Sequence, residues 1–232
     1  MALPDSDATK LASLVVAVDG TSGSGKSSTC RAVASRFGLR YLDTGAMFRA
    51  VALWMLQHDV DVNDPVAVAE LADKPTLVSG TDPAAPTISV DGVDVSVEIR
   101  SDAVNAAVSP VSAVPEVRRR LLAEQRAIID GGGIVVEGRD IASVVWPDAE
   151  VKVYLTADPG ARASRRAAEN GGADVTATQE SLLARDKIDS GRTVAPLTMV
   201  EGAVHIDSTD LTLDEVVDLV AQLIAVPKDH HA

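Results

Sequence analysis

The sequence predicts a doubly wound α/β domain, a parallel sheet with helices on both faces, carrying an inserted antiparallel β lobe and a helical lid. Three observations point there. Apolar runs at 14–18, 134–136 and 151–155 have the unbroken hydrophobicity of parallel strands buried on both faces. The first leads directly into a glycine-rich loop and then a helical pattern. Between the first and second runs, prolines and short alternating segments around an Asp-Gly pair break the α/β rhythm.

The elements follow in order. Leu14–Val18 is the first strand. A helix is predicted over Lys26–Phe37, with Cys30, Val33, Ala34 and Phe37 on one face and Gly38 as its stop. Arg40–Leu42 is a short strand; Asp43, Thr44 and Gly45 lead into a second helix ending near His58. From about Asn63 to Ile99 the texture changes, punctuated by Pro65, Pro75, Pro83 and Pro86. Val66–Asp73 reads as helix, while Thr87–Val90 and Val93–Val95 read as two strands joined by an Asp91-Gly92 turn. Helical patterns resume over Asp102–Ala107 and after Pro115, where Val117, Leu121, Ile128 and Ile129 face inward.

Ile134–Val136 is a buried strand that runs into Glu137-Gly-Arg-Asp140, and Val151–Leu155 is another. A helix carries Arg162 to Glu169, Asn170-Gly-Gly172 breaks it as a hinge would, and a further helix spans about Thr178–Ser190. Val204–Ile206 is a last short strand. The closing helix opens on a capping box, Thr212 and Glu215, and lines Val216, Val217, Val220, Leu223 and Ile224 along one face. No internal repeat or low-complexity tract occurs.

Composition narrows the function classes. With 21 Lys plus Arg against 34 Asp plus Glu, the 232-residue chain carries a net charge of −13, which argues against a nucleic-acid polymer as partner. No apolar run approaches a membrane span, and the N-terminal residues lack the apolar core of a signal peptide. Residues 1–13 read as an unstructured polar arm and 227–232, with His230 and His231, as a solvated tail. The single Cys30 excludes a disulfide framework and fits a reducing cytoplasm. The arginines nonetheless gather around 118–126, 162–166 and 185–192, as a small anionic ligand in a basic cleft requires; taken singly, each cluster also suits an ordinary solvated helix face.

The stretch Gly20-Thr21-Ser22-Gly23-Ser24-Gly25-Lys26-Ser27 satisfies G-x-x-x-x-G-K-[ST] between a buried strand and a helix. Its glycines let backbone N–H groups converge on phosphate oxygens, and the helix N-terminus adds partial positive charge. Lys26 is placed to reach the β- and γ-phosphates of a nucleoside triphosphate, and Ser27 to offer a hydroxyl to Mg²⁺. No Asn-Lys-x-Asp segment follows a later strand, so a GTPase is disfavoured. Arg185, Asp189 and Arg192 recur at i, i+4 and i+7, one stripe of cation, carboxylate and cation that could bracket phosphates and sugar hydroxyls or form an exposed salt-bridged face. Arg162 and Arg166 lie one turn apart on the preceding helix, and the two arginine-bearing segments together have the character of a lid.

These motifs, with LDTGAMFR at 42–49, EIRS at 98–101, EGRDIASVVWPDA at 137–149 and RDKIDSGRTVAPL at 185–197, closely resemble bacterial cytidylate kinases, collinearly over about residues 14–225. The resemblance implies the P-loop nucleoside-monophosphate-kinase fold: a core from 14–43, 108–157 and 193–226, a monophosphate-binding lobe over 44–107 with the β insert near 63–99, and a lid over 158–192. It implies transfer from ATP with Mg²⁺ to CMP or dCMP, in a cytoplasmic protein that by analogy is a monomer.

By motif position, the phosphate loop through Ser28 would bind ATP, with Arg162 and Arg166 near it from the lid. Thr44, Phe48 and Arg49 would line the monophosphate site; Ser109, Arg118, Arg139 and Asp140 would contact cytosine or its phosphate. Arg185 and Arg192 would hold phosphates, and Asp189 the ribose hydroxyls. Lys26, Arg139, Arg185 and Arg192 would be catalytic. Three positions depart from the usual pattern: Phe48 where tyrosine is common, Thr44 for serine, and Glu137 for an aspartate that would hold Mg²⁺ through water. Other acceptors (UMP, AMP, or shikimate, prompted by Gly131-Gly-Gly133) and a non-catalytic nucleotide-binding regulator remain as rival readings.

Overall fold

The computed structural model describes residues 5–225, apart from 170, 171, 173 and 193. Its first element is a helix, α1 (Asp5–Ser13), in place of the unstructured arm expected from composition. Leu11 packs against the apolar cluster on one face of the sheet, and that tertiary contact stabilises a segment too short to be helical alone.

Next come β1 (Val15–Gly20), buried along its whole length, and α2 (Lys26–Phe37), which stops at Gly38. β2 (Arg40–Asp43) hands over to α3 (Thr44–Gln57) at Asp43, whose carboxylate accepts the Ala46 N–H at 2.9 Å. Asp64 likewise caps α4 (Pro65–Leu71).

The insert holds three antiparallel strands: β3 (Leu77–Ser79), β4 (Ile88–Val90) and β5 (Val93–Asp94). Asp91 and Gly92 both take positive φ, as a two-residue hairpin turn requires. β3 is the strand the sequence pattern does not reveal: it lacks the adjoining Asp-Gly turn that marks β4 and β5.

α5 (Asp102–Ala113) continues past the predicted end and through Pro110. The proline forgoes one intrahelical hydrogen bond, while buried Val104, Ala107, Val108 and Val111 keep the helix docked. α6 (Pro115–Ile129) precedes β6 (Ile134–Gly138), and a π-helical turn over Ile141–Val145 precedes β7 (Val151–Thr156). The chain closes with α7 (Pro159–Glu169), α8 (Val175–Gly191), β8 (Val204–Asp207) and α9 (Leu213–Ala225). Of the expected hinge only Gly172 is described; Asn170 and Gly171, like the tail at 227–232, lie outside the described residues.

The main sheet has the order β2-β6-β1-β7-β8, all parallel. Alternate residues feed two cores. Ala17, Leu42 and Val136 pack with α3, α5 and α6, whereas Val18, Tyr41 and Val135 pack with α2 and α9. The register pairs Asp43 and Val18 with Glu137, and Gly20 with Leu155, so the functional candidates gather at the carboxyl edge of the strands, where open α/β sheets bind ligands. Among the described residues no helix is long and apolar enough to cross a membrane.

Candidate active site

The phosphate loop is cross-braced from every side. Gly20 has φ +150°, and a Cβ there would fall 1.9 Å from the Leu155 carbonyl oxygen, so glycine permits the close approach of loop to β7. Ser24 Oγ donates to Thr21 O at 3.0 Å, and Ser208 Oγ donates to Ser24 O at 3.0 Å. Arg139 Nη1 donates to Gly20 O at 2.8 Å, and Arg162 Nη1 to Ser22 O at 2.9 Å. Lys26 Nζ donates to Thr21 O at 2.6 Å. Burial, reinforced by the nearby Arg139 cation, lowers the Lys26 ammonium to about 7.

Beside Lys26 and Ser27 lies Glu137, 4% exposed, at the end of β6. Tyr41 Oη donates to Glu137 Oε1, and Thr44 Oγ1 donates to the Glu137 carbonyl at 2.7 Å. Burial raises the Glu137 carboxyl to about 7, with Asp43 pushing the same way and Lys26 opposing. Burial, aided by the Glu137 and Asp43 charges, drives the Tyr41 hydroxyl far above its ordinary value, so it remains a protonated donor.

Facing the loop is an arc of arginines centred on Asp189. Its carboxylate accepts from Arg139 Nε at 2.7 Å and from Arg192 Nη2. Burial pushes the Asp189 carboxyl up, but Arg139 and Arg192 outweigh that and hold it below its usual value. Burial and the Arg139 charge lower Arg185 to about 10, and burial with the Arg185 charge lowers Arg49 to about 9. Arg185 Nε and Arg192 Nε are buried without hydrogen-bond partners. Guanidiniums under mutual repulsion, with unmatched N–H groups, are the chemical complement of a polyanion.

At the other end, Arg118 pairs with Asp140 inside the protein, and Arg118 Nη1 donates to the Ser112 carbonyl at 3.1 Å. The Arg118 guanidinium carbon stands 5.3 Å from the Phe48 ring centroid, a cation–π contact. Asp19 fixes the backbone just beyond, accepting from the N–H groups of Ile141 and Ala142 at 2.7 and 2.8 Å. Burial first, partly offset by those two hydrogen bonds, raises the Asp19 carboxyl to about 6.

One cavity of about 350 Å³ joins the two ends. Its wall contains Ser22 through Ser28 of the loop, with Thr44, Phe48, Arg49, Ser109, Arg118, Glu137, Arg139, Asp140, Arg166, Arg185, Asp189 and Arg192. Three of the predicted residues are not on that wall: Gly20, Thr21 and Arg162. Arg162 is 4% exposed at its side chain and pairs with Asp186 at 2.5 Å, so it braces the loop from behind. Sequence reasoning missed Asp43, Arg100, Ser112, Arg165 and the Ser208–Leu213 segment, which also line the cavity. Asp43 had a signal in its N-cap position before a helical run, and Arg100 in the EIRS stretch at 98–101.

A glycine-rich loop between β1 and α2, sharing one cavity with arginines from the turn after β6, from α3 and from α8, defines a P-loop phosphotransferase of the nucleoside-monophosphate-kinase type. Comparison with known proteins makes this specific. The chain belongs to the cytidylate kinase family: the family model "Cytidylate kinase" matches residues 16–226. It is 55% identical over 218 residues to a cytidylate kinase of Streptomyces griseus, covering 93% of this chain and 94% of the relative. It is 53% identical over 213 residues to that of Streptomyces avermitilis, covering 91% and 92%. Among solved structures, an uncharacterized protein from Eubacterium ventriosum superposes with a TM-score of 0.50 at 11% identity, covering 91% of this chain and 97% of the other, a likeness of fold alone.

Proposed function

We propose that this enzyme transfers the γ-phosphoryl group of ATP to the phosphate of CMP or dCMP, giving ADP and CDP or dCDP. The observation that carries the reading is the single cavity with the phosphate loop at one end and the buried Arg118–Asp140 pair at the other. Cytosine offers an amino donor beside ring acceptors. A carboxylate next to a guanidinium and the Ser109 hydroxyl matches that pattern, whereas uracil would turn an oxygen toward the carboxylate.

The acceptor phosphate is already anionic, so attack on phosphorus needs no general base. Catalysis rests on in-line positioning and on neutralising charge over the transferring group, the work of Lys26, Arg139, Arg185 and Arg192. Arg49 and Thr44 would hold the acceptor phosphate, and Asp189 the ribose hydroxyls. Residues 44–107 would form the acceptor lobe and 158–192 the lid, which together exclude the water that would otherwise hydrolyse ATP.

Among the described residues no group of three or more His, Cys, Asp or Glu is arranged to hold a metal ion. That fits a Mg²⁺ carried in on phosphate oxygens, for which one hydroxyl and one or two carboxylates suffice; Ser27 and Glu137 on the cavity wall supply these. When bound, the ion would neutralise part of the phosphate charge. A reducing cytoplasm suits buried Cys30 and this substrate chemistry.

The test is ADP release with ATP and Mg²⁺, offering CMP, dCMP, UMP, AMP and shikimate separately. Strong turnover with the two cytidylates and weak turnover with the rest supports the assignment. Equal turnover with UMP would remove the role given to Arg118 and Asp140.

A further inference from the structure

We infer that Tyr41, a residue outside the motifs and off the cavity wall, is a positioning residue that aims the Glu137 carboxylate at the phosphate loop. The inference rests on the reading of Ser27 and Glu137 as the protein's side of a Mg²⁺–nucleotide site. It adds a residue to that site.

The geometry starts from strand register. Tyr41 lies opposite Val135, and Asp43 opposite Glu137, on adjacent parallel strands. Side chains alternate, so Tyr41 and Glu137 emerge on the same face of the sheet, the face covered by α2. Tyr41 is 2% exposed and its ring belongs to the apolar cluster with Cys30 and Val135. Only its hydroxyl meets a polar group, and that group is Glu137 Oε1.

A buried glutamate has one methylene more than an aspartate, and with it one more rotatable bond. Without a partner on Oε1 the carboxylate is free to rotate away from Ser27. The Tyr41 O–H engages Oε1, while Lys26 and the Ser27 hydroxyl act on the same carboxylate and favour its ionised form. The ring is fixed by packing, so the hydroxyl acts as a rigid peg for a flexible side chain. Partners of this kind commonly change metal affinity or activity by about 10- to 100-fold when removed.

The experiment compares Tyr41→Phe with the unsubstituted protein, measuring binding of a non-hydrolysable ATP analogue with Mg²⁺ and with EDTA. The ratio of the two dissociation constants reports metal coupling, which a purely structural tyrosine would not alter. Tyr41→Phe is expected to reduce that ratio about tenfold, with metal-free binding changed by less than about twofold. In a double-mutant cycle, Glu137→Gln should reduce the ratio as well, and adding Tyr41→Phe to it should do nothing further. An unchanged ratio in Tyr41→Phe, or independent losses in the cycle, overturns the role of Tyr41 and leaves the metal reading standing. Equal binding with and without Mg²⁺ in the unsubstituted protein overturns both. Thermal unfolding of each variant identifies any loss that comes from misfolding, and a ratio that falls only in proportion to lost folded protein also overturns the proposal.

Discussion

Arg118 and Asp140 form an ion pair inside the protein, with 9% and 7% of their side chains exposed, on the wall of the cavity that the phosphate loop also lines. Each neutralises the other, and each keeps hydrogen-bonding capacity for a base. Asp140→Asn keeps the shape, removes the charge and adds an amide donor that a uracil oxygen can accept. If Asp140 accepts the cytosine amino group as proposed, kcat/KM for CMP should fall about 10²-fold or more, because the site loses its charged acceptor. Discrimination against UMP should shrink, while KM for ATP stays within about twofold. Steady-state kinetics with both acceptors checks this; a variant that keeps its CMP preference would show that base choice lies elsewhere.

Asp189 joins α8 to β6 by accepting from Arg139 and Arg192 at once. Its carboxyl sits below the ordinary 3.8, so its stabilising contribution is present above that value and is lost as pH falls through the folded value. Asp189→Asn should therefore lower unfolding stability at pH 7 by about 1–3 kcal/mol. The gap to the unsubstituted protein should narrow below about pH 4. Urea denaturation at the two pH values reads both, and a gap that is constant with pH would refute the ion-pair account.

Legibility of the fold followed physical scale. The strands entering the site were readable because burial on both faces leaves uninterrupted runs such as Val135–Val136, and α2 was readable to the residue because Gly38 ends it. α1 was not, because its helicity depends on Leu11 meeting a surface assembled from distant residues. β3 has no Asp-Gly turn beside it to mark it, as β4 and β5 do, and α5 runs through Pro110 because tertiary burial outweighs a local breaker. At the site, motif spacing placed most of the charged residues of the cavity wall, though not Asp43, Arg100 or Arg165. It could not tell that Arg162 turns behind the loop toward Asp186, nor that Tyr41 reaches Glu137 from a neighbouring strand. Both depend on side-chain direction across elements far apart in sequence.

Gly20 supports a further prediction. At φ +150°, with the Leu155 carbonyl oxygen 1.9 Å from where a Cβ would stand, Gly20→Ala forces β1 and β7 apart at the base of the loop. Backbone, not a flexible side chain, is the obstacle. Stability should fall by about 2–4 kcal/mol from strain and lost packing, and nucleotide affinity should fall with it because Arg139 anchors to the Gly20 carbonyl. Thermal unfolding and analogue binding would show it; a midpoint within a degree or so of the unsubstituted value would contradict the clash.

Lys26 places a cation where the protein is least suited to hold one. Burial and Arg139 lower it to about 7 from 10.5, so burying it costs no stability above about 10.5, and the cost grows as pH falls from there to about 7. Lys26→Met keeps the aliphatic volume and removes the buried charge. Relative to the unsubstituted protein, the variant should gain stability as pH drops from 10 to 7, reaching about 1 kcal/mol or more, and hold that gain below. Phosphoryl transfer should move the other way, falling about 10²- to 10³-fold with the loss of a donor to the transferring group. Binding of ATP must restore the proton to Lys26, so affinity in the unsubstituted protein should weaken as pH rises above 7, and Lys26→Met should lose that dependence. Unfolding, turnover and binding measured across the same pH series test the three together. Transfer within a few-fold of the unsubstituted rate would show that this loop is not where the phosphoryl group is handled.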